Sequence, residues 1–209
     1  SDAYQSIPLT RTHRIASPQV QKRLSAGEPW QDFLARRGGT RRVPWDEATR
    51  PPVRLSGTGW DVPDKLLRDD KQAWRIGNAI LSEEIALLGG RDAISLSDLS
   101  PWTLDRSAGI TTLTYRRSWH GLPVLDARVS LRFKAGRFVV GQVETIPGIR
   151  LSTAPQITPK SAQATALAAL KWTEERSDFK SDPSLLIFPV LGEESLHHHL
   201  AWKVDVAAV

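Results

Sequence analysis

The residues to weigh first for metal chemistry are the five histidines, His13, His120, His197, His198 and His199. A zinc peptidase sets two histidines one helical turn apart with a carboxylate base between them, the H-E-x-x-H arrangement. No histidine here begins that pattern. The run His197-His198-His199 leads into a strand pattern, where alternate residues share a face, so only His197 and His199 would point together. Two imidazoles fall short of the three or four protein ligands zinc takes, and the run reads as a polar turn-to-strand junction. Being internal, it does not read as an affinity tag. Cysteine is absent, which excludes disulfides, thiolate metal sites and cysteine nucleophiles. There is no G-x-S-x-G nucleophile elbow and neither G-x-x-x-x-G-K-[ST] nor G-x-G-x-x-G. The carboxylate pairs Asp69-Asp70 and Glu83-Glu84 read as helix capping and solvated helix surface. The sequence therefore offers no catalytic residue, no cofactor-binding residue and no metal ligand, and the chain is expected not to be an enzyme.

Charge narrows the partners. Net charge is +5, with basic pairs at Arg36-Arg37, Arg41-Arg42 and Arg116-Arg117. A nucleic-acid binder gathers such charge on one face with aromatics between. Here the pairs are dispersed among Asp46, Glu47, Asp61, Asp64, Asp69 and Asp70, as on a solvated mixed surface, and no nucleic-acid partner is expected. The weaker functional reading of this charge is docking to an acidic protein. No stretch approaches the roughly 20 consecutive apolar residues that cross a bilayer, so no membrane partner is expected. The polar start Ser1-Asp2-Ala3-Tyr4 and the absence of Met read as a trimmed or processed chain with its secretory signal removed. The eight tryptophans are spread along the chain and are expected mostly in the core or on strand faces.

Periodicity supplies the elements that would position these groups. Residues 1–29 read as an extended arm with a short helix over Pro18 to Leu24, and Trp30, Phe33 and Leu34 have helical spacing before Gly38-Gly39. Two short strands flank a turn between Thr40 and Gly57, with prolines confining them to an edge. The clearest helix runs from Asp69 to Leu88, with Ala73, Ile76, Ile80, Leu87 and Leu88 on its apolar face and Leu81 and Ile85 widening it. Ile94, Leu96 and Leu99 alternate loosely. Leu113, Tyr115 and Trp119 share one strand face, and Val129, Leu131 and Phe133 share another. His120 to Pro123 and Ala135-Gly136 turn the chain, and Phe138 to Val143 returns it. After a linker, Ile149 to Gln156, Thr158-Pro159 opens a second helix that continues to about Glu175. Strands over Leu185 to Val190 and over Leu200, Trp202, Val204 and Val206 follow. Helix then antiparallel sheet occurs twice, giving an α+β fold.

Two segments carry a family resemblance. Thr114-Tyr115-Arg116-Arg117-Ser118-Trp119-His120-Gly121-Leu122-Pro123-Val124, with Ala127-Arg128-Val129 and Gly136-Arg137-Phe138-Val139-Val140, resembles the core of the fungalysin/thermolysin propeptide (FTP) domain. That core has an aromatic-bearing strand, a G-x-P-V turn, a second strand and a valine-rich return. Ile157-Thr158-Pro159-Lys160-Ser161-Ala162 entering an Ala-rich helix, then Leu185 to Pro189, then Leu200-Ala201-Trp202-Lys203-Val204-Asp205-Val206, is similar to a PepSY-type domain. FTP followed by PepSY is the order in propeptides of thermolysin-like and fungalysin-like zinc metalloproteases.

The resemblance covers roughly residues 69–206. It implies an N-terminal arm and short hairpin over 1–59, a cystatin-like FTP domain over 60–150 and a smaller PepSY-like domain over 157–209. PepSY domains usually continue into a further strand, so the last domain is expected to be truncated at its C-terminus. The implied function is that of a secreted or periplasmic propeptide, intramolecular chaperone and inhibitor of a cognate zinc metalloendopeptidase, with no cofactor of its own. The alternatives are a freestanding secreted PepSY-like inhibitor and, from the tryptophan content, a carbohydrate or cell-wall binding module. Metal analysis after dialysis is expected to return no stoichiometric zinc; one zinc per chain would overturn the reading of the histidine run.

Overall fold

The computed structural model describes residues 14–38, 41–89, 94–173, 177–192 and 195–208. The fold is α+β. Helix α1 (Pro18–Ser25) starts where the Ser17 hydroxyl accepts from the Val20 amide, and α2 (Glu28–Arg37) follows one turn later. Trp30 and Phe33, the helically spaced aromatics, form the buried face of α2. Strands β1 (Arg41–Arg42) and β2 (Arg54–Asp61) pair antiparallel as the expected hairpin. Its turn is held by Asp46, which is not the solvated acid expected but 1% exposed, accepting from the Thr49 amide at 2.5 Å and hydroxyl at 2.8 Å and from the Arg14 amide at 2.7 Å. The hairpin lies at the edge of the sheet, as expected: β1 is the end strand and β2, which follows Pro51 and Pro52, lies between β1 and β6.

A single helical turn, α3 (Asp64–Leu67), leads into α4 (Asp70–Gly89), whose start is capped by the Asp69 carboxylate on the Gln72 amide at 2.8 Å. The expected glycine stop at Gly90 lies outside the described residues. A 3-10 turn at Leu96–Asp98 with a Ser95/Asp98 capping box occupies part of the loosely alternating stretch. Then come β3 (Leu99–Ser107), β4 (Ile110–Trp119), β5 (Leu122–Lys134) and β6 (Arg137–Glu144). Each turn between them is an X-Gly pair at positive φ: Ala108-Gly109 at 50° and 72°, His120-Gly121 at 48° and 79°, Ala135-Gly136 at 48° and 69°. Two successive positive φ values make the tight hairpin turn whose twist matches that of the strands.

Helix α5 (Pro159–Leu170) starts at Thr158, whose hydroxyl accepts from the Ser161 amide, and ends at a left-handed Lys171. It stops short of the expected Glu175, which lies outside the described residues. Strands β7 (Ser177–Phe179), β8 (Ser184–Leu191), β9 (Leu196–Lys203) and β10 (Val206–Ala208) complete the chain. The strand expected from Leu200 to Val206 is divided: β9 pairs with β8, whereas β10 leaves to pair with β7.

The main sheet runs β1-β2-β6-β5-β4-β3, and β8 adds to β5 in parallel with Val124 opposite Ile187. β2 crosses the expected division between residues 59 and 60 and pairs with β6, so the hairpin shares the meander's sheet. Segment 157–209 also joins that sheet, through β8.

The core lies between α4 and the inward strand face, with Ala73, Ile80, Leu81 and Leu88 against Leu113, Tyr115, Val129, Leu131, Phe133 and Phe138. A second cluster, Ala16, Trp30, Phe33, Trp45, Leu55 and Leu87, sets the N-terminal helices against α4 and β2. Between them lies Glu84, expected as solvated helix surface but only 2% exposed. Its carboxylate accepts from Arg36 at 2.7 Å and Arg37 at 3.0 Å, while Arg37 also pairs with Glu83 and places its guanidinium 4.4 Å from the Trp60 ring centroid. A buried charge persists only when paired, and the Arg36-Arg37 pair serves that purpose.

Gly77 on α4 lies directly beneath Tyr115, whose buried hydroxyl has no hydrogen-bond partner among the described residues. A methyl at position 77 would overlap that hydroxyl and come within 2.8 Å of Leu113 Cδ1. Gly77→Ala is therefore expected to destabilise by about 1–3 kcal/mol in urea unfolding, as overpacking of a core does. Tyr115→Phe alone should be neutral or stabilising, because it removes an unsatisfied buried polar group. The double variant should lose less than the sum of the two singles; strict additivity would show that the hydroxyl is not the obstacle.

Candidate functional site

The strands and helix of segment 157–209, with the segment before them, border an open groove. Proline in the first turn of α5 and the Thr158 cap start the helix at a fixed point. Its inner side presents small residues, Ala162, Thr165, Ala166 and Ala169, toward β9. The intervening floor is left unfilled, giving a groove of about 720 Å³. The consecutive residues His198 to Trp202 all line it. Since successive strand side chains alternate faces, such a run means that the groove follows the strand edge. β9 pairs with β8 on one side only, among the described residues. The segment Leu151 to Ile157 forms the opposite wall, tied to β9 by the Trp202 indole N–H donating to the Ile157 carbonyl at 3.0 Å.

The three consecutive histidines sit on β9 as strand alternation requires. His197 and His199 are exposed, and His198 is half-buried. They do not converge, and among the described residues no group of three His, Asp or Glu side chains could hold a metal. At the end of β4 a bulge between Arg116 and Ser118 interrupts the pairing with β5. There Arg117, expected on a solvated surface, is 4% exposed and donates to the carbonyls of Thr145 and Ile146. Thr145 in turn donates its hydroxyl to the Leu88 carbonyl at 2.7 Å. One polar chain thus runs from the last turn of α4, through the segment after β6, to the end of β4.

Burial lowers the His198 pKa, and the positive charge of Arg117 and the neighbouring His197 and His199 lower it further. Its Nε2 is buried with no hydrogen-bond partner among the described residues. Val124, Ala127, Ile146, Ile149 and Ile187 make a small apolar cluster, with Leu196 and Leu200 of β9 packed against it. Ile149, expected in a linker, is buried there.

Sequence reading missed Arg117, although the signal was present: the alternation that turns Leu113 and Tyr115 inward turns residue 117 inward too. The tryptophans divide as their size dictates. Trp30 and Trp45 are buried, Trp60, Trp74, Trp119, Trp172 and Trp202 are half-buried, and Trp102 alone is exposed, at 45%. No row of exposed tryptophans forms a platform.

No family model matches the chain, and no curated protein matches it. Among solved structures, the C-terminal domain of YpeB from Bacillus megaterium is similar, with a TM-score of 0.40 and 9% identity over 92% of this chain and 89% of that one. A similarity of that size defines neither family nor function.

The lowered His198 pKa fixes a pH dependence. Below the free-histidine value of about 6.5, the unfolded chain takes up a proton at His198 that the folded chain refuses. Stability is therefore unaffected by this group above that value and falls as pH drops below it, with a slope of up to about 1.4 kcal/mol per pH unit. Urea midpoints measured down from pH 7.5 should show the decline, and His198→Gln should remove part of it. An identical profile in the variant would count against the assignment.

Proposed function

We propose that this chain is a propeptide of a secreted zinc metalloprotease, acting as chaperone and inhibitor of the catalytic domain through the α5–β9 groove. The observation that carries the reading is the free edge of β9 opening into an underfilled groove. An extended polypeptide added to such an edge gains main-chain hydrogen bonds, and its alternate side chains enter the groove beside it. A surface that binds the native or near-native protease lowers the free energy of that state or of the barrier leading to it. The same contacts would block the cleft until the propeptide is removed.

Support comes from the sequence motifs and from how they fold. The residues of the G-x-P-V pattern form the β4–β5 hairpin, and the Leu200-Ala201-Trp202-Lys203 stretch is the strand that borders the groove. The order FTP then PepSY, found in such propeptides, is the order in which these parts occur along the chain.

The test is refolding in trans. The unfolded cognate protease, refolded with this chain, should recover more activity than without it, and the folded enzyme should be inhibited. Ala166→Trp, which fills the groove from the α5 side, should reduce both effects by about tenfold, the scale of losing about 1.4 kcal/mol of binding. A chain without effect on refolding or on activity would overturn the propeptide reading. Unimpaired function of the groove-filled variant would move the contact elsewhere.

A further inference from the structure

The N-terminal helices, the turn before β2 and α4 surround a small cavity of about 200 Å³. Its walls belong to the second apolar cluster. Leu24 of α1, Trp30 of α2, Trp45 and Leu87 of α4 are packed in that cluster and also line the cavity. Trp30 meets Trp45 edge-on, with ring centroids 5.8 Å apart, and the Trp45 indole N–H donates to the Ser25 hydroxyl at 2.9 Å. These contacts fix the two indoles, and the space beside them stays unfilled.

Two arginines complete the lining: Arg23 from the last turn of α1, and Arg50 from the turn around Asp46. The Arg50 amide donates to the Asp46 carbonyl at 3.0 Å, which anchors that residue at the rim. Arg23 is exposed, and its guanidinium has no partner among the described residues. Among the described residues no carboxylate lines the cavity. The acids on the surrounding elements are engaged elsewhere or lie outside it. Glu83, one turn before Leu87, pairs with Arg37, and Glu47 pairs with Arg14 at 3.4 Å. Asp46 accepts from the Arg14 and Thr49 amides. Glu28 and Asp32 of α2 are exposed and outside the lining.

We propose that this cavity binds an apolar carboxylate about one ring in size, its body against the indoles and its acid group on Arg23 and Arg50. Size sets the body: a dry apolar cavity of about 150 Å³ holds benzene, so the volume here suits one ring and the group attached to it. Charge sets the head. An arginine guanidinium receives a carboxylate through two parallel N–H donors, and the cavity brings no carboxylate of its own. A compact inorganic anion would leave the indole walls uncovered. The same pair of groups occurs in a free acid and in the final residue of a polypeptide, where side chain and carboxylate share one carbon. The site goes beyond the propeptide reading and stands without it, since it shares no residue with the groove along β9.

Isothermal titration of the full chain with 3-phenylpropionate tests the proposal. The acid should bind with a Kd of about 1 mM or tighter. The alcohol 3-phenylpropanol, the same body without the charge, should bind at least tenfold more weakly. Arg23→Glu should weaken the acid at least tenfold, and Ala86→Phe, which fills the cavity from α4, should abolish its binding. Arg68→Glu, outside the cavity and equal in charge change, should weaken it by less than threefold. Circular dichroism confirms that the variants fold, and the comparison of acid with alcohol needs no variant. A pentapeptide ending in Phe, with its terminus free or amidated, separates the two sources. Tighter binding of the free-ended peptide than of the acid assigns the cavity to a polypeptide terminus; weaker binding assigns it to a free acid. Equal binding of acid and alcohol would overturn the proposal, as would equal losses at Arg23 and Arg68 or tighter binding of phenyl phosphate. No protease enters the assay, so failure here leaves the refolding result standing, and failure there leaves this one.

Discussion

Everything in the N-terminal half is organised around one interior carboxylate. Glu84 lies in the middle of the α4 surface that α2 covers, and two consecutive arginines reach it from the neighbouring helix. An apolar contact would tolerate sliding or rotation of one helix on another. A buried carboxylate does not, because any displacement leaves a charge without a partner in a poorly solvating interior. With α2 fixed, Trp30 and Phe33 meet Trp45 and Leu55, and the β1–β2 hairpin is drawn onto the edge of the sheet. The Arg37–Trp60 contact joins this arrangement to β2, whose Trp60 stacks on Phe138 of β6. The sheet is thereby held along its first strands.

Much of the fold was legible in the sequence where a single period governs an element. α4 is shifted by one residue from its expected span because its cap, Asp69, and its apolar stripe both act locally. The β4–β5–β6 meander follows from alternation and from X-Gly turns. Illegible were the elements whose residues serve neighbours and not a period. β3 is an edge strand, exposed along most of its length, so it has no buried alternation to detect. β7 is three residues long. Glu84 and Asp46 looked like surface charges because burial of a charge depends on a partner distant in sequence: Arg36 and Arg37, and the Arg14 amide.

The candidate groove was partly legible. Its Ala-rich helix and its Trp202 strand stand out in the sequence. The free edge of β9 does not, because it depends on β8 joining β5 and on β10 departing to β7. The histidine run, conspicuous in sequence, proves to be one inward imidazole beside an arginine, with an exposed imidazole on either side.

The parallel join between β5 and β8 has a consequence for the order in which the molecule can assemble. Its registered residues, Val124 and Ile187, lie far apart along the chain, whereas the meander closes through turns of two residues. Loop closure costs more entropy as the intervening chain lengthens, and local contacts form sooner than distant ones. During synthesis the meander has all its partners while β8 is still unmade. The α5–β9 part thus arrives as an addition to a finished template. Completion of the core and completion of the groove are thereby separated in time.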